Sequence, residues 1–107
     1  MNNVLLLTGR IANDPTIKEL DNNKKVCNIL IAVQRDYKNS SGEYETDFFS
    51  ISLWNGYAES AIKYIHKGDL INIFGRLQNQ DNKLSIVIEK IKFLASKPKN
   101  DTKIDEK

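Results

Sequence analysis

The sequence predicts an all-β domain with one short helix. Three stretches before residue 55 and two after residue 69 are rich in β-branched and aromatic residues, and several of them alternate apolar with polar side chains. The one stretch with helical spacing lies between the third and fourth of these strands. With 107 residues, 40% hydrophobic and 28% charged, the chain has room for one domain with a substantial core.

Strands and turns alternate in the first third of the chain. The β-rich run Val4 to Thr8 is followed by a turn at Asp14-Pro15, after which Thr16 to Leu20 resumes a semi-extended pattern. A second turn at Asp21-Asn22-Asn23 precedes the long strand Lys25 to Arg35.

The third strand, Asp47 to Trp54, has two unlike faces. It follows the loop-like segment Lys38 to Glu43 and is expected to form a long hairpin with the preceding strand. One face carries the apolar residues Phe49, Ile51 and Leu53, which indicates a core. The other face has an aromatic at each end and small hydroxyl side chains between them: Phe48, Ser50, Ser52 and Trp54. Exposing two large aromatic side chains to water is unfavourable, whereas flat rings such as nucleobases can stack on a face of this kind.

A helix and two further strands complete the domain. Asn55 is a plausible cap for the helical run Tyr57 to Lys67, which Gly68 stops. Apolar residues recur there at helical spacing: Ala58, Ala61, Ile62 and Ile65. Leu70 to Gln78 alternates again, and a turn leads into Leu84 to Leu94. The resulting β-β-β-α-β-β order is that of the OB-fold, a five-stranded Greek-key barrel whose open face binds oligonucleotides or oligosaccharides.

Composition adds expectations about compartment and boundaries. The net charge of +2 is small, so any polyanion site depends on local placement of basic side chains. Cys27 is the only cysteine, which excludes an internal disulfide and, with its place in an apolar-rich run, predicts an inert buried thiol in the cytoplasm. Neither a secretory signal nor a membrane span is expected. We assign residues 1–96 to the domain and residues 97–107 to a disordered charged tail.

Short motifs along the chain resemble, in the same order, those of the bacterial-type single-stranded DNA-binding proteins. The opening motif runs from Asn3 to Ile11 with Asp14-Pro15 after it, and Ile31 to Arg35 follows. The later motifs are Asp47-Phe48-Phe49 leading to Leu53-Trp54, Lys67 to Leu70, Gly75 to Gln78, and Ile91 to Leu94. The resemblance covers nearly all of the predicted domain, and several motifs in one order are far more specific than any one alone.

The resemblance implies which aromatic side chains stack on DNA bases. Tyr37, Phe48 and Trp54 fall where the family places its stacking rings, with ring types exchanged among Trp, Phe and Tyr. Each stacked base contributes roughly 1 to 3 kcal/mol in such proteins. A purely structural explanation remains open for each residue: Trp54 as a barrel-end core residue, Phe48 in a subunit interface, and Tyr37 as a residue beside a loop.

The resemblance also implies a basic groove that follows the phosphates. We choose Arg10, Arg35 and Arg76 for it, because each ends or follows a strand at a family-motif position. The alternative is that they are solvated charges at strand ends. Phe74 shares a face with Arg76, away from Ile73, at a position where the family commonly has an acidic or polar residue. It is either an added stacking ring or an interface residue.

Two departures from the family limit which of its properties are expected of this chain. The hairpin around Gln80 to Lys83 is short, and no aromatic occurs from Gly75 to Lys92, so one stacking position is expected to be lost and the footprint reduced. The final residues, Thr102 to Lys107, lack the acidic tip ending in Pro-Phe through which many relatives recruit enzymes. Recruitment by that route is therefore not expected.

The sequence gives no pattern typical of an enzyme. His66 is the only histidine, and no second histidine or neighbouring cysteine is present to form a metal site or a base–nucleophile pair with it, so no cofactor or metal is expected. Asp14, Asp47 and Asp69 fit turn or capping roles.

We predict a protein that coats single-stranded DNA in replication, recombination or repair. The family resemblance implies a homotetramer, often built by pairing of the first strand, with a dimer as the alternative. The rival functions are an OB-fold RNA-binding protein, a primosome-type replication protein, and an assembly protein that grips a protein partner.

Overall fold

The computed structural model describes residues 1–96, and the predicted tail lies outside them. Its elements are, in order, β1 (Leu5–Ile11), β2 (Ile17–Glu19), a 3-10 turn (Asp21–Asn23), β3 (Lys25–Lys38), β4 (Tyr44–Trp54), α1 (Gly56–Tyr64), β5 (Leu70–Gln80) and β6 (Lys83–Ala95). The prediction of an all-β OB-type domain with one short helix is confirmed. Within the described residues, no helix is both long and apolar enough to cross a membrane.

The structure adds one short strand to the five that were predicted. The semi-extended segment after Pro15 forms the three-residue strand β2, which pairs antiparallel with the start of β3. Its residues Ile17 and Glu19 lie opposite Cys27 and Lys25. The segment is too short to be identified by alternation, and its pairing with β3 is what makes it a strand.

The strands form one curled sheet in the order β2-β3-β1-β5-β6, with β4 paired to the other edge of β3. Every pairing is antiparallel. Within residues 1–96 no ladder joins β4 to β6, although the two strands approach each other. The barrel is therefore open along this seam.

Branched aliphatic side chains fill the inside of the sheet. The largest fully buried ones are Ile11, Ile29, Ile31, Ile51, Leu53, Ile71 and Ile73. Each contributes about 1.5 to 3 kcal/mol relative to an exposed position. The predicted inward face of β4 is confirmed, because Ile51 and Leu53 are each 1% exposed. Cys27 is fully buried among these residues, as predicted, and burial raises the pKa of its thiol.

Two glycines allow the strands to pack closely. A side chain on Gly9 would collide with the carbonyl oxygen of Ala32, and one on Gly75 with the carbonyl oxygen of Val87. Both positions are buried in the sheet. Only glycine permits this approach of β1 to β3 and of β5 to β6.

The helix α1 packs on the sheet through small residues. Ala58 and Ala61 are buried, and Ile65 is buried just after the helix ends. Ile62 also has the predicted helical spacing but is exposed, because a nine-residue helix presents only one narrow face to β3 and β4. Asn55 precedes the helix as predicted, yet its side chain does not cap it and instead accepts a hydrogen bond from the amide of Lys25.

The hairpin of β3 and β4 extends past the barrel as an arm. Their register runs from Val26 opposite Trp54 to Gln34 opposite Thr46, and after a bulge Lys38 lies opposite Tyr44. The arm therefore continues the sheet beyond the buried core, and its outer face is continuous with that of the barrel.

Candidate nucleic-acid interface

The outer face of β4 carries two exposed rings separated by small side chains. Phe48 is 59% exposed and Trp54 is 48% exposed, while Ser50 and Ser52 between them are also exposed. A strand rises about 3.4 Å per residue, so the two rings lie roughly 20 Å apart along β4. The structure thus excludes a buried core position for Phe48 and Trp54 and leaves a flat shelf between them.

A groove of about 910 Å³ runs beside this shelf, where β4 approaches the β5–β6 hairpin. Phe48, Ser50, Ser52 and Trp54 line one wall. The opposite wall is aliphatic and polar, and it includes Leu77, Gln80, Leu84, Ser85 and Val87. The groove is the open seam of the barrel, and its hairpin wall carries no ring among the described residues, as the sequence predicted.

Tyr57 also lines this groove and was not singled out from the sequence. It lies in the first turn of α1, three residues after Trp54, and its hydroxyl donates a 3.1 Å hydrogen bond to the carbonyl of Glu89 on β6. This bond ties the helix to the strand across the seam. An aromatic residue so close to Trp54 is a feature of the sequence that indicates a place in the groove. The helical spacing identifies only the apolar residues that pack on the sheet, and Tyr57 is not one of them.

Tyr44 is a third ring on the outer face of β4 that the sequence analysis missed. It is 49% exposed, and alternation places it on the same face as Phe48 and Trp54. The ammonium nitrogen of Lys38 lies 5.7 Å from its ring centre. Tyr44 is four residues before Phe48, a spacing that places both on one face of a strand. The predicted strand began only at Asp47 and therefore did not include Tyr44.

Tyr37 does not join the row of rings on β4. It is 64% exposed near the end of β3, within the bulge that interrupts the register between Gln34 and Lys38. The register pairs odd-numbered residues of β3 with odd-numbered residues of β4, such as Val33 with Asp47, so alternation does not place Tyr37 in the even-numbered row of Phe48 and Trp54.

The guanidinium of Arg35 is held by two carboxylates. It donates two hydrogen bonds to Asp47, at 2.9 and 3.0 Å, and one to Glu45 at 2.6 Å. These bonds, above all those with Asp47, raise the pKa of Arg35, and the same bonds lower the pKa of the Asp47 carboxyl. Asp47 thus anchors Arg35, a more specific contact than the turn role predicted for it.

The other two predicted arginines differ in their partners. Arg76 donates to the carboxylate of Glu89 at 3.0 Å and to the side-chain carbonyl of Gln78 at 3.2 Å. Arg10 donates to the carbonyl of Gly68 at 2.9 Å, and within residues 1–96 it has no carboxylate partner. Arg10 is therefore the predicted arginine whose charge is least neutralised by the protein.

Phe74 lies on a different part of the surface from the groove. On β5 it is opposite Leu6 of β1 and Lys90 of β6, and the Lys90 ammonium is 5.7 Å from its ring centre. Phe74 does not line the groove, whereas Leu77, three residues further along β5, does. The structure thus brings Phe48, Trp54 and Tyr57 together and leaves Phe74 apart from them.

The acidic and metal-binding residue types are not gathered into a site in the part of the chain described. No group of three or more His, Cys, Asp or Glu side chains is placed to hold a metal ion there. The buried carboxylate of Asp69 accepts a 2.8 Å hydrogen bond from the amide of His66, which is the turn role that the sequence predicted for it.

Comparison with known proteins agrees with this geometry. Residues 1–94 match the model of the Single-strand binding protein family. The chain is 36% identical to Single-stranded DNA-binding protein 1 of Clostridium acetobutylicum, over 89% of this chain and 96% of that protein. It is 30% identical to Single-stranded DNA-binding protein B of Bacillus subtilis, over 92% of this chain and 96% of that protein.

A solved structure supports the fold. The crystal structure of a deletion mutant of the single-stranded DNA binding protein from Thermus aquaticus superposes with a TM-score of 0.66 at 21% identity. The match covers 87% of this chain and half of the length of the Thermus protein.

Proposed function

The chain belongs to the single-strand binding protein family, and from this premise we propose that it binds and protects single-stranded DNA without sequence preference. The observation that carries the proposal is the outer face of β4, where Phe48 and Trp54 stand exposed at the two ends of a shelf of small residues beside an open groove. Every nucleobase has a flat face, so stacking on such rings is tolerant of sequence.

Two kinds of contact cooperate in the proposed complex. Bases stack on Phe48 and Trp54, each contributing roughly 1 to 3 kcal/mol, with Tyr37 on the arm as a further stacking residue. Basic side chains neutralise the phosphates and release counterions. Arg10 is the first choice for this role, since Arg35 and Arg76 reach a phosphate only by exchanging a carboxylate partner for it.

The proposed activity makes and breaks no covalent bond. The named functions of the relatives are those of DNA-binding proteins, which supports a binding role over a catalytic one. We place this role in replication, recombination or repair in the cytoplasm, where a buried reduced thiol such as that of Cys27 is stable.

We further propose that the chain works as a homotetramer, with a dimer as the alternative. Among the described residues, β3 pairs with β1 only at Arg10 and Ile11, so the earlier part of that edge of β1 is open. Val4 and Leu6 are exposed there, and Phe74 flanks Leu6 on β5. An open strand edge with apolar neighbours favours pairing with a second copy. Sedimentation with and without an oligonucleotide measures the assembly.

The central test uses Trp54, the only tryptophan, as a fluorescent reporter. Titration with poly(dT), an equally long RNA and duplex DNA ranks the possible ligands in one experiment. We expect strong quenching by poly(dT) that weakens as salt is raised. Tighter binding of RNA would favour an OB-fold translation protein, and an absence of binding to poly(dT) at low salt would overturn the proposal.

A further inference from the structure

We propose that Tyr44 and Lys38 form an additional nucleotide subsite at the outer end of the arm, where the base stacks on the tyrosine ring and the ammonium pairs with the phosphate. This inference rests on the proposed function, because it extends the same single strand beyond Phe48. The ligand is one more nucleotide of single-stranded DNA.

The row of side chains on β4 supports a continuous track. From the arm to the barrel, the outer face of β4 presents Tyr44, Thr46, Phe48, Ser50, Ser52 and Trp54. Large rings thus occur at the start, near the middle and at the end, with only small hydroxyl side chains between them. At about 3.4 Å per residue the track is roughly 34 Å long, which spans about ten stacked nucleotides at 3.4 Å per nucleotide. That length lies within the range of about 4 to 16 nucleotides seen for OB-folds.

The ring of Tyr44 has no role in the core of the domain. It is 49% exposed and lies on the arm, away from the buried cluster inside the barrel. Its partner in the register is Lys38, whose ammonium lies 5.7 Å from the ring centre and has no ion pair within residues 1–96. The ammonium lies over the ring, so a base that takes its place on the ring face leaves the flexible lysine free to pair with the phosphate.

Hydrogen bonds order the backbone of the turn at the end of the arm, directly before Tyr44. The side-chain carbonyl of Asn39 accepts hydrogen bonds from the amides of Ser41 at 2.9 Å and Glu43 at 3.0 Å. The amide of Asn39 donates to the carbonyl of Glu43 at 2.8 Å. A preorganised tip costs less conformational entropy when a ligand binds.

The nearest acidic side chain on β4 is turned away from the track. Glu45 alternates to the opposite face, where its carboxylate is bound by Arg35 at 2.6 Å and by the side-chain amide of Asn39 at 3.2 Å. The anionic group beside Tyr44 is therefore neutralised on the other side of the sheet. The Glu45 carboxylate therefore does not compete for Lys38, whose ammonium lies beside Tyr44.

The test compares Tyr44→Ala with the wild type on oligo(dT) of two lengths, with quenching of Trp54 as the readout. An oligonucleotide of about 6 nucleotides spans Trp54 to Phe48, and one of about 16 reaches past Tyr44. We expect the substitution to weaken binding of the longer strand about 5- to 150-fold and to leave the shorter one unchanged. Tyr44→Phe should retain wild-type affinity, and Lys38→Gln should reduce the salt slope by about 0.7 on the longer strand alone.

The matched control is Tyr64→Ala, which removes an exposed tyrosine from α1 outside the groove. If Tyr44→Ala equals the wild type at both lengths while the wild type binds tightly, the subsite is wrong and the proposed function stands. Equal loss on both lengths with a lowered melting temperature assigns Tyr44 to the fold and also overturns the subsite. If the wild type fails to bind either strand, the proposed function itself is wrong.

Discussion

The guanidinium of Arg35 and the carboxylate of Asp47 form a two-point pair across the β3–β4 hairpin, with hydrogen bonds of 2.9 and 3.0 Å. Val33 lies opposite Asp47 in the register, so Arg35 reaches diagonally by two residues along its own strand. The pair joins the two strands where the arm leaves the barrel.

This pair predicts a specific dependence of stability on acid. Arg35 holds the pKa of Asp47 below its unfolded value of about 3.9, so the ionised carboxylate stabilises the folded protein above that pH. The stabilisation is lost as the pH falls through the lowered pKa. We expect the melting temperature of the wild type to fall more between about pH 5 and pH 3 than that of Asp47→Asn, which lacks the titrating group. Parallel curves for the two proteins in thermal scans would contradict this.

The same pair predicts that Arg35 contributes less than Arg10 to the salt dependence of DNA binding. Arg10 has no carboxylate partner in the described part of the chain, so Arg10→Gln should reduce the magnitude of the salt slope for poly(dT) by about 0.7. The charge-neutral double change Arg35→Gln with Asp47→Asn should leave the slope unchanged. A reduction of equal size in the double variant would show that Arg35 exchanges Asp47 for a phosphate in the complex.

Alternation within β4 was sufficient to predict its two faces, because burial in a strand follows the side-chain period of two. Phe48 and Trp54 were found in this way, and both face the groove. The pattern could not give the strand's beginning. Glu45 and Thr46 add no apolar residue to the alternation, and pairing with the end of β3 is what makes them part of β4.

Contacts between distant residues were the part that the sequence could not supply. Arg35 was predicted as a phosphate ligand, but its pairing with Asp47 depends on the hairpin register. A register shift of one residue would place the two side chains on opposite faces of the sheet. The bulge between Gln34 and Lys38 has no glycine or proline to mark it in the sequence. Tyr57 reaches Glu89 only because the helix lies across the seam.

The hydrogen bond between Tyr57 and Glu89 predicts a measurable contribution to stability. Tyr57→Phe removes a donor that crosses from α1 to β6 but keeps the ring in the groove. We expect the free energy of unfolding to fall by about 0.5 to 1.5 kcal/mol, measured by denaturant titration, with poly(dT) affinity unchanged. Tyr64→Phe, on the same helix but outside the groove, is the matched control and should change neither quantity. Unaltered stability of Tyr57→Phe would show that the bond is not maintained in solution.

Removal of either exposed ring on the shelf separates binding from folding. Because Phe48 and Trp54 are about half exposed, their truncation opens no cavity in the core, and Phe48→Ala and Trp54→Ala should both remain folded by circular dichroism. Each should weaken binding of poly(dT) by roughly 1 to 3 kcal/mol, measured by anisotropy of a labelled oligonucleotide because Trp54→Ala lacks the fluorescent reporter.

Ile51→Ala, on the opposite face between them, is the contrasting case: it removes a side chain that is 1% exposed and should cost about 2 to 5 kcal/mol of stability. Were Phe48→Ala or Trp54→Ala to lose stability on that scale, the ring in question would belong to the fold and not to the binding surface.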